Sequence, residues 1–200
     1  MSLPLASSVA LRPPIIPSPS SGPTRLRVPD LLHATDQAAD DVLSGRCDHL
    51  LPEGGVPQSE RWFTRVFGDD ELDIWLISWV PGHATELHDH GGSLGALTVL
   101  SGSLNEFRWD GKGLRRRRLE AGDQAGFPLG WVHDVVWAPR TAPTLQVAGS
   151  VTTISKPVQQ PTLSVHAYSP PLTAMSYYEI TERNRLRRHR TELTDQPEGP

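Results

Sequence analysis

The longest apolar signal in the chain is Ile74-Trp75-Leu76-Ile77-Ser78-Trp79-Val80, a nearly unbroken run. A strand buried on both faces reads this way, whereas a half-exposed strand would alternate. Residues 96–100 and 104–109 are two further runs, flanking Ser101-Gly102, and are predicted to form a hairpin. Residues 145–151 and 162–168 are predicted strands as well. In the second of these, Leu163, Val165 and Ala167 alternate with Ser164, His166 and Tyr168, so a strand here has one apolar and one hydrogen-bonding face. Ahead of the strands, Leu31/Leu32, Thr35, Ala38/Ala39 and Val42/Leu43 recur at helical period. They predict a helix over 30–44, with Asp30 as N-cap and Gly45 ending it. Residues 1–28 are rich in Pro and Ser and are predicted to be disordered. Residues 51–58 read as a Pro/Gly loop, and 184–200 as a polar, mobile tail. The organisation is one all-β domain over 29–183 with an N-terminal helical segment.

Composition narrows the class. A chain of 200 residues suits one domain with extensions, and a net charge of −4 gives no electrostatic case for nucleic acid. Basic runs at 115–118 and 183–190 read as an exposed hairpin and a solvated stretch. No apolar run approaches membrane-spanning length, so no membrane partner is expected. The N-terminal stretch lacks a basic leader and is broken by proline, so no signal peptide is expected. The single cysteine, Cys47, excludes an internal disulfide framework and fits a reducing cytoplasm. The chain is read as a monomer.

Two histidine clusters carry the chemistry. The first reads Gly82-HATEL-His88-Asp89-His90-GGSL-Gly95-ALTVLS-Gly102, the second Gly122-DQAGF-Pro128-Leu129-Gly130-WV-His133. On a strand, residues i and i+2 share a face, so His88 and His90 project together and two nitrogens can reach one ion. The Gly-Pro-Gly punctuation before His133 fits a turn delivering a third ligand from a neighbouring strand. Glycines 82, 102, 122 and 130 mark corners of a small barrel. Three neutral imidazoles leave a divalent ion its full charge and up to three open positions. That arrangement suits an anionic substrate with room left for dioxygen.

These clusters resemble the two cupin motifs at every position but two. Gly95 stands at the glutamate position, and Trp137 at the final asparagine position. Phe63-Thr64-Arg65, His88-Asp89-His90 with Ser93, and Leu163-Ser164-Val165-His166-Ala167-Tyr168-Ser169-Pro170-Pro171 extend the likeness to the cysteine dioxygenases, over about residues 60–175. The resemblance implies a cupin barrel (a double-stranded β-helix). It also implies Fe(II) held by His88, His90 and His133, and oxidation of L-cysteine by O2 to cysteine sulfinate. Within it Ser164 orients His166, His166 orients the Tyr168 hydroxyl, and Arg65 grips the substrate carboxylate with a guanidinium fork that lysine would not reproduce. Ser169-Pro170 matches a cis bond. Gly95 has no sulfur, so the cysteine–tyrosine thioether of the animal enzymes cannot form, and Phe63 replaces their tyrosine. Two alternatives remain open: the same chemistry on 3-mercaptopropionate or another small thiol, and a non-catalytic metal-binding cupin module. The six tryptophans are read as barrel packing, with Trp131 and Trp137 beside His133.

Overall fold

The computed structural model describes residues 24–139, 144–147, 150–153 and 160–197. Among these residues, one α-helix, α1 (Val28–Leu43), and a short 3-10 turn (Asp48–Leu50) precede thirteen strands. In chain order these are β1 (Trp62–Gly68), β2 (Asp73–Trp79), β3 (His88–Asp89), β4 (Leu94–Ser101), β5 (Ser103–Trp109), β6 (Leu114–Glu120) and β7 (Gln124–Phe127). They continue with β8 (His133–Trp137), β9 (Thr144–Val147), β10 (Ser150–Thr153), β11 (Thr162–Ser169), β12 (Ala174–Ile180) and β13 (Leu186–Leu193). A five-stranded sheet of order β1-β2-β11-β4-β7 faces a six-stranded sheet of order β13-β12-β3-β8-β5-β6, and all described pairings are antiparallel. This is the expected cupin barrel.

The pattern of β2 now has its cause. Trp75, Ile77 and Trp79 point into the barrel against Leu97, Val99 and Phe127, while Ile74 and Leu76 point outward under α1. The helix closes that outer face with Leu31, Ala38 and Ala39. Leu31 is fully buried, and burial of a leucine contributes roughly 1.5–3 kcal/mol. Strand β11 is likewise covered on both sides. Val165 and Ala167 meet the helix, whereas Ser164, His166 and Tyr168 face the interior.

Several expectations need correction. The helix starts at Val28, with Arg27 as its N-cap; Asp30 lies three residues further on and accepts a bond from the Arg27 backbone N–H at 2.7 Å. Asp30 therefore completes the cap from inside the first turn. Gly45 follows the helix end with φ +81°. Of the extension expected to be disordered, residues 1–23 lie outside the described residues. Residues 24–28 are ordered: Thr24 bonds Ser169 at 2.7 Å, and Arg25 pairs with Glu71. The single strand expected over 145–151 falls on a two-stranded ladder, β9 with β10, and 148–149 lie outside the described residues.

Strands β4 and β5 are not a hairpin, because they belong to different sheets. Gly102, at φ +78°, turns the chain from one sheet to the other, and a Cβ there would lie 2.3 Å from Thr162 Oγ1. That hydroxyl clasps the corner, accepting from Ser103 N–H and donating to the Ser103 carbonyl, both at 2.9 Å. Of the stretch 184–200, residues 184–197 are not a mobile tail, and 198–200 lie outside the described residues. Residues 186–193 form β13, the outer strand of the larger sheet, paired along β12. An edge strand has little apolar surface to bury and is guarded by charge, so its sequence looks like solvated coil. Among the described residues, no helix is long and apolar enough to cross a membrane.

Candidate metal centre

His88 and His133 are direct cross-strand partners on β3 and β8, and His90 follows immediately after β3. All three are buried, and one ring nitrogen from each lies within 4.8 Å of the others. Ring-to-ring distances are 4.9 Å for His88–His133, 5.1 Å for His88–His90 and 5.2 Å for His90–His133. The glycines expected at corners around the cluster, 82, 102, 122 and 130, all have positive φ.

Outer partners set the tautomers. His88 Nδ1 lies 2.7 Å from the Glu86 carbonyl. A carbonyl only accepts, so Nδ1 carries the proton and Nε2 keeps its lone pair. His133 Nδ1 lies 3.2 Å from Glu106 Oε1, which also accepts from Trp131 Nε1 at 3.1 Å. Burial works to raise the Glu106 carboxyl, yet the bonds from His133 and Trp131 and the nearby Arg117 charge hold it below the usual range. Carboxylate–histidine pairs of this kind orient metal ligands. Three buried imidazoles gathered together, two of them (His88 and His133) oriented from behind, form a donor set that fits a divalent transition metal.

Glu106 was not foreseen from the sequence, although a signal existed. Leu104 is a core residue of β5, so period-two alternation puts Glu106 on the same inner face. Asp89 is a second such carboxylate. It accepts from Tyr178 Oη at 2.6 Å and from Gly91 N–H at 2.9 Å, fixing the chain between His88 and His90. Burial and the Asp89 bond push the Tyr178 phenol up to about 12.

The larger sheet carries one cross-strand row through the centre: Arg190, Tyr177, His88, His133, Arg108 and Arg115, each the register partner of the next. At one end Arg190 forms a fork on Glu86, with Nη2 2.7 Å from Oε1 and Nη1 2.8 Å from Oε2. The same guanidinium stacks 3.7 Å above the Tyr177 ring. Because the Glu86 carbonyl holds His88, strand β13 braces a histidine of the cluster from outside. Arg190→Gln is expected to weaken divalent-metal affinity by about tenfold, at the low end of losses for outer partners of metal ligands. Glu86→Gln should do the same, and the double variant should add little. Chelator competition measures this; wild-type affinity in Arg190→Gln would contradict it.

Ser164, His166 and Tyr168 form a continuous line. Ser164 Oγ is 2.9 Å from His166 Nε2, and His166 Nδ1 is 3.3 Å from the Tyr168 hydroxyl. Trp79, read only as packing, donates its indole N–H to Ser164 Oγ at 2.8 Å. The Ser164 proton has His166 Nε2 as its acceptor among the described residues. The line then runs from Trp79 through Ser164 and His166, with Nδ1–H donating to the Tyr168 oxygen. The opposite sense would leave a buried hydroxyl proton unbonded, costing about 1–3 kcal/mol. The His166 N–H thus holds the Tyr168 oxygen from behind, and the Tyr168 ring lies 4.9 Å from that of His90. Ser169-Pro170 is cis, as the resemblance implied. At Gly95 a Cβ would meet Phe127 Cδ2 at 2.9 Å and Tyr168 Cδ1 at 3.4 Å, so Phe127 fills the space a larger side chain would need.

Arg65 shares the inner face, in a row with Trp75, His166 and Leu97. Its guanidinium stacks 4.5 Å from the Trp75 ring, donates to the Asp195 carbonyl at 3.3 Å and lies 3.9 Å from Asp73 Oδ2. The structure thus engages Arg65 with Asp73 and Asp195 rather than with the histidine cluster. Asp73, also not foreseen, is buried, accepts from Trp75 Nε1 at 2.9 Å, and is pushed up to about 6 by that burial. Phe63 packs edge-on against Trp75 at 5.8 Å. Cys47 is buried and free, outside the barrel's inner cluster.

Residues 56–181 match the family described as cysteine dioxygenase type I. That span holds the three histidines, Arg65 and the Ser164–Tyr168 line, and excludes α1 and β13. Among solved structures, the chain is similar to a conserved protein with a double-stranded β-helix domain from Klebsiella pneumoniae, at 18% identity and TM-score 0.46, covering 66% of this chain and 93% of that one. It is also similar to a cupin superfamily protein from Desulfitobacterium hafniense, at 10% identity and TM-score 0.41, covering 57% and 81%.

Proposed function

The chain belongs to the cysteine dioxygenase type I family, and from that premise we propose that it oxidises L-cysteine with O2 to cysteine sulfinate, using Fe(II) held by His88, His90 and His133. The observation that carries this reading is the convergence of three buried imidazole nitrogens within 4.8 Å. When bound there, iron supplies a Lewis acid that favours thiolate over thiol and a redox partner for dioxygen. Sulfur loses four electrons, O2 gains them, and both oxygen atoms end on sulfur.

The protein's own residues do the rest. Tyr168 offers its phenol proton to the reacting sulfur and oxygen, with His166 holding the phenol oxygen from behind. Ser164 and Trp79 keep His166 in the tautomer that makes this possible. Arg65 binds the substrate carboxylate as a fork, exchanging the Asp195 carbonyl for it. Asp73 stays beneath the guanidinium and tempers its charge, which favours a substrate bearing an ammonium as well as a carboxylate.

The second reading, 3-mercaptopropionate or another small thiol as substrate, uses the same three histidines and the same carboxylate grip, since that thiol differs from cysteine only in lacking the amino group. Oxygen uptake with both thiols, on wild type and Arg65→Gln, separates the two. Cysteine should be preferred, and its kcat/KM should fall roughly 10–100-fold in the variant, the worth of a charge-assisted fork. A wild type that favours 3-mercaptopropionate, or a variant that keeps full activity on cysteine, would exclude the cysteine assignment.

A further inference from the structure

We propose that the inner face of β5 and β6 holds a second site, for a small oxyanion, on the far side of Glu106 from the metal centre. A cavity of about 250 Å³ opens there, with Glu106, Arg108, Arg115, Arg117 and Trp131 among its lining residues. Strand geometry assembles it. Arg115 and Arg117 are two apart on β6 and share a face, and their register partners on β5 are Arg108 and Glu106.

Arg108 and Arg115 therefore oppose each other directly. Like charges at such a pair of positions destabilise a sheet unless something neutralises them. Only part of that neutralisation comes from the chain. Arg115 pairs with Asp110 at 2.6 Å. Arg108 stacks 4.4 Å from the Trp131 ring, and Arg117 donates to the Gln124 carbonyl at 2.9 Å. Among the described residues, neither Arg108 nor Arg117 forms an ion pair with a carboxylate, although Arg117 lies near enough to its cross-strand partner Glu106 for its charge to lower that carboxyl. Glu106 faces the cavity, but its Oε1 is taken by His133 and Trp131.

The result is a concave, cationic pocket with an indole wall and planar donor forks. Guanidinium forks match the paired oxygens of a sulfate, phosphate, carboxylate or sulfinate. The site adjoins the metal centre without belonging to it. Arg108 is the register partner of His133, one strand away, and Glu106 touches both the cavity and that histidine. An anion held here is thus linked to the metal ligand through one carboxylate.

The test is calorimetric titration of the full-length, metal-loaded protein with sodium sulfate and, separately, a small alkyl sulfinate, at constant ionic strength. Saturable binding of one anion per chain is expected, weakened about tenfold or more in Arg117→Gln and in Arg108→Gln. Arg187→Gln on β13, where Arg187 pairs with Glu179, should bind as wild type. Melting curves identify any variant that fails to fold; Arg117 is exposed, so its variant carries the test if Arg108→Gln unfolds. Equal affinity for the two anions marks a general oxyanion site, and preference for the sulfinate marks the product class. Non-saturable heats, or equal affinity in wild type and Arg117→Gln, would overturn the proposal. Binding is read without turnover, so its failure is separable from failure of the thiol chemistry.

Discussion

His133→Ala is expected to release the metal and to lower thiol oxidation by roughly 10³-fold or more, as loss of a member from a group acting as a unit does. The size of the effect follows from how little redundancy the cluster has. Among the described residues, the group of side chains placed to hold a metal contains three histidines and no carboxylate. Glu106, the nearest acid, approaches His133 from behind through Nδ1 and is committed to Trp131 as well. Removal of the ring leaves two donors and strands part of a buried carboxylate. Stability should fall with metal content, and a melting curve on metal-free protein separates the two losses. Wild-type metal content in folded His133→Ala would show that the ion is held elsewhere.

Tyr168→Phe is expected to keep the metal and lose roughly 10²-fold in kcat, comparable to deleting one preorganised hydrogen-bond donor in an enzyme site. The ring is fully buried in the inner cluster, so phenylalanine preserves packing and removes only the hydroxyl. His166→Ala should produce a similar loss, but it also opens a cavity and costs stability, which makes Tyr168→Phe the cleaner probe. The informative readout is turnover per bound metal. If Tyr168→Phe turns over at the wild-type rate per metal, the proton direction derived for the Trp79–Ser164–His166 line has no catalytic role.

What could be read from the chain beforehand depended on whether a residue's role was local. The continuous apolar run of β2 needed no context, because a strand covered by the helix on one side and the opposite sheet on the other must be apolar throughout. His88 and His90 were legible for the same reason: period two places both side chains together without knowledge of the partner strand. Glu106 was not, since its meaning lies in its distance to a histidine 27 residues away. The corner at Gly102 was misread as a hairpin because its cause is Thr162, contributed by a distant strand. Strand β13 was missed because an edge strand carries charge where a central strand carries core. The Arg190–Glu86 fork that gives β13 its link to the metal centre spans 104 residues. Arg65 was found by resemblance, but its neighbours Asp73 and Asp195 emerged only when the sheet and the chain end were placed together.

The most direct test is to load the protein with ferrous iron in measured amounts, add L-cysteine under isotopically labelled dioxygen, and weigh the product. Cysteine sulfinate carrying two labelled oxygen atoms, formed at a rate proportional to bound iron, is the predicted result. Iron-loaded protein that leaves cysteine and every other small thiol unoxidised, or that inserts only one labelled atom, would contradict it.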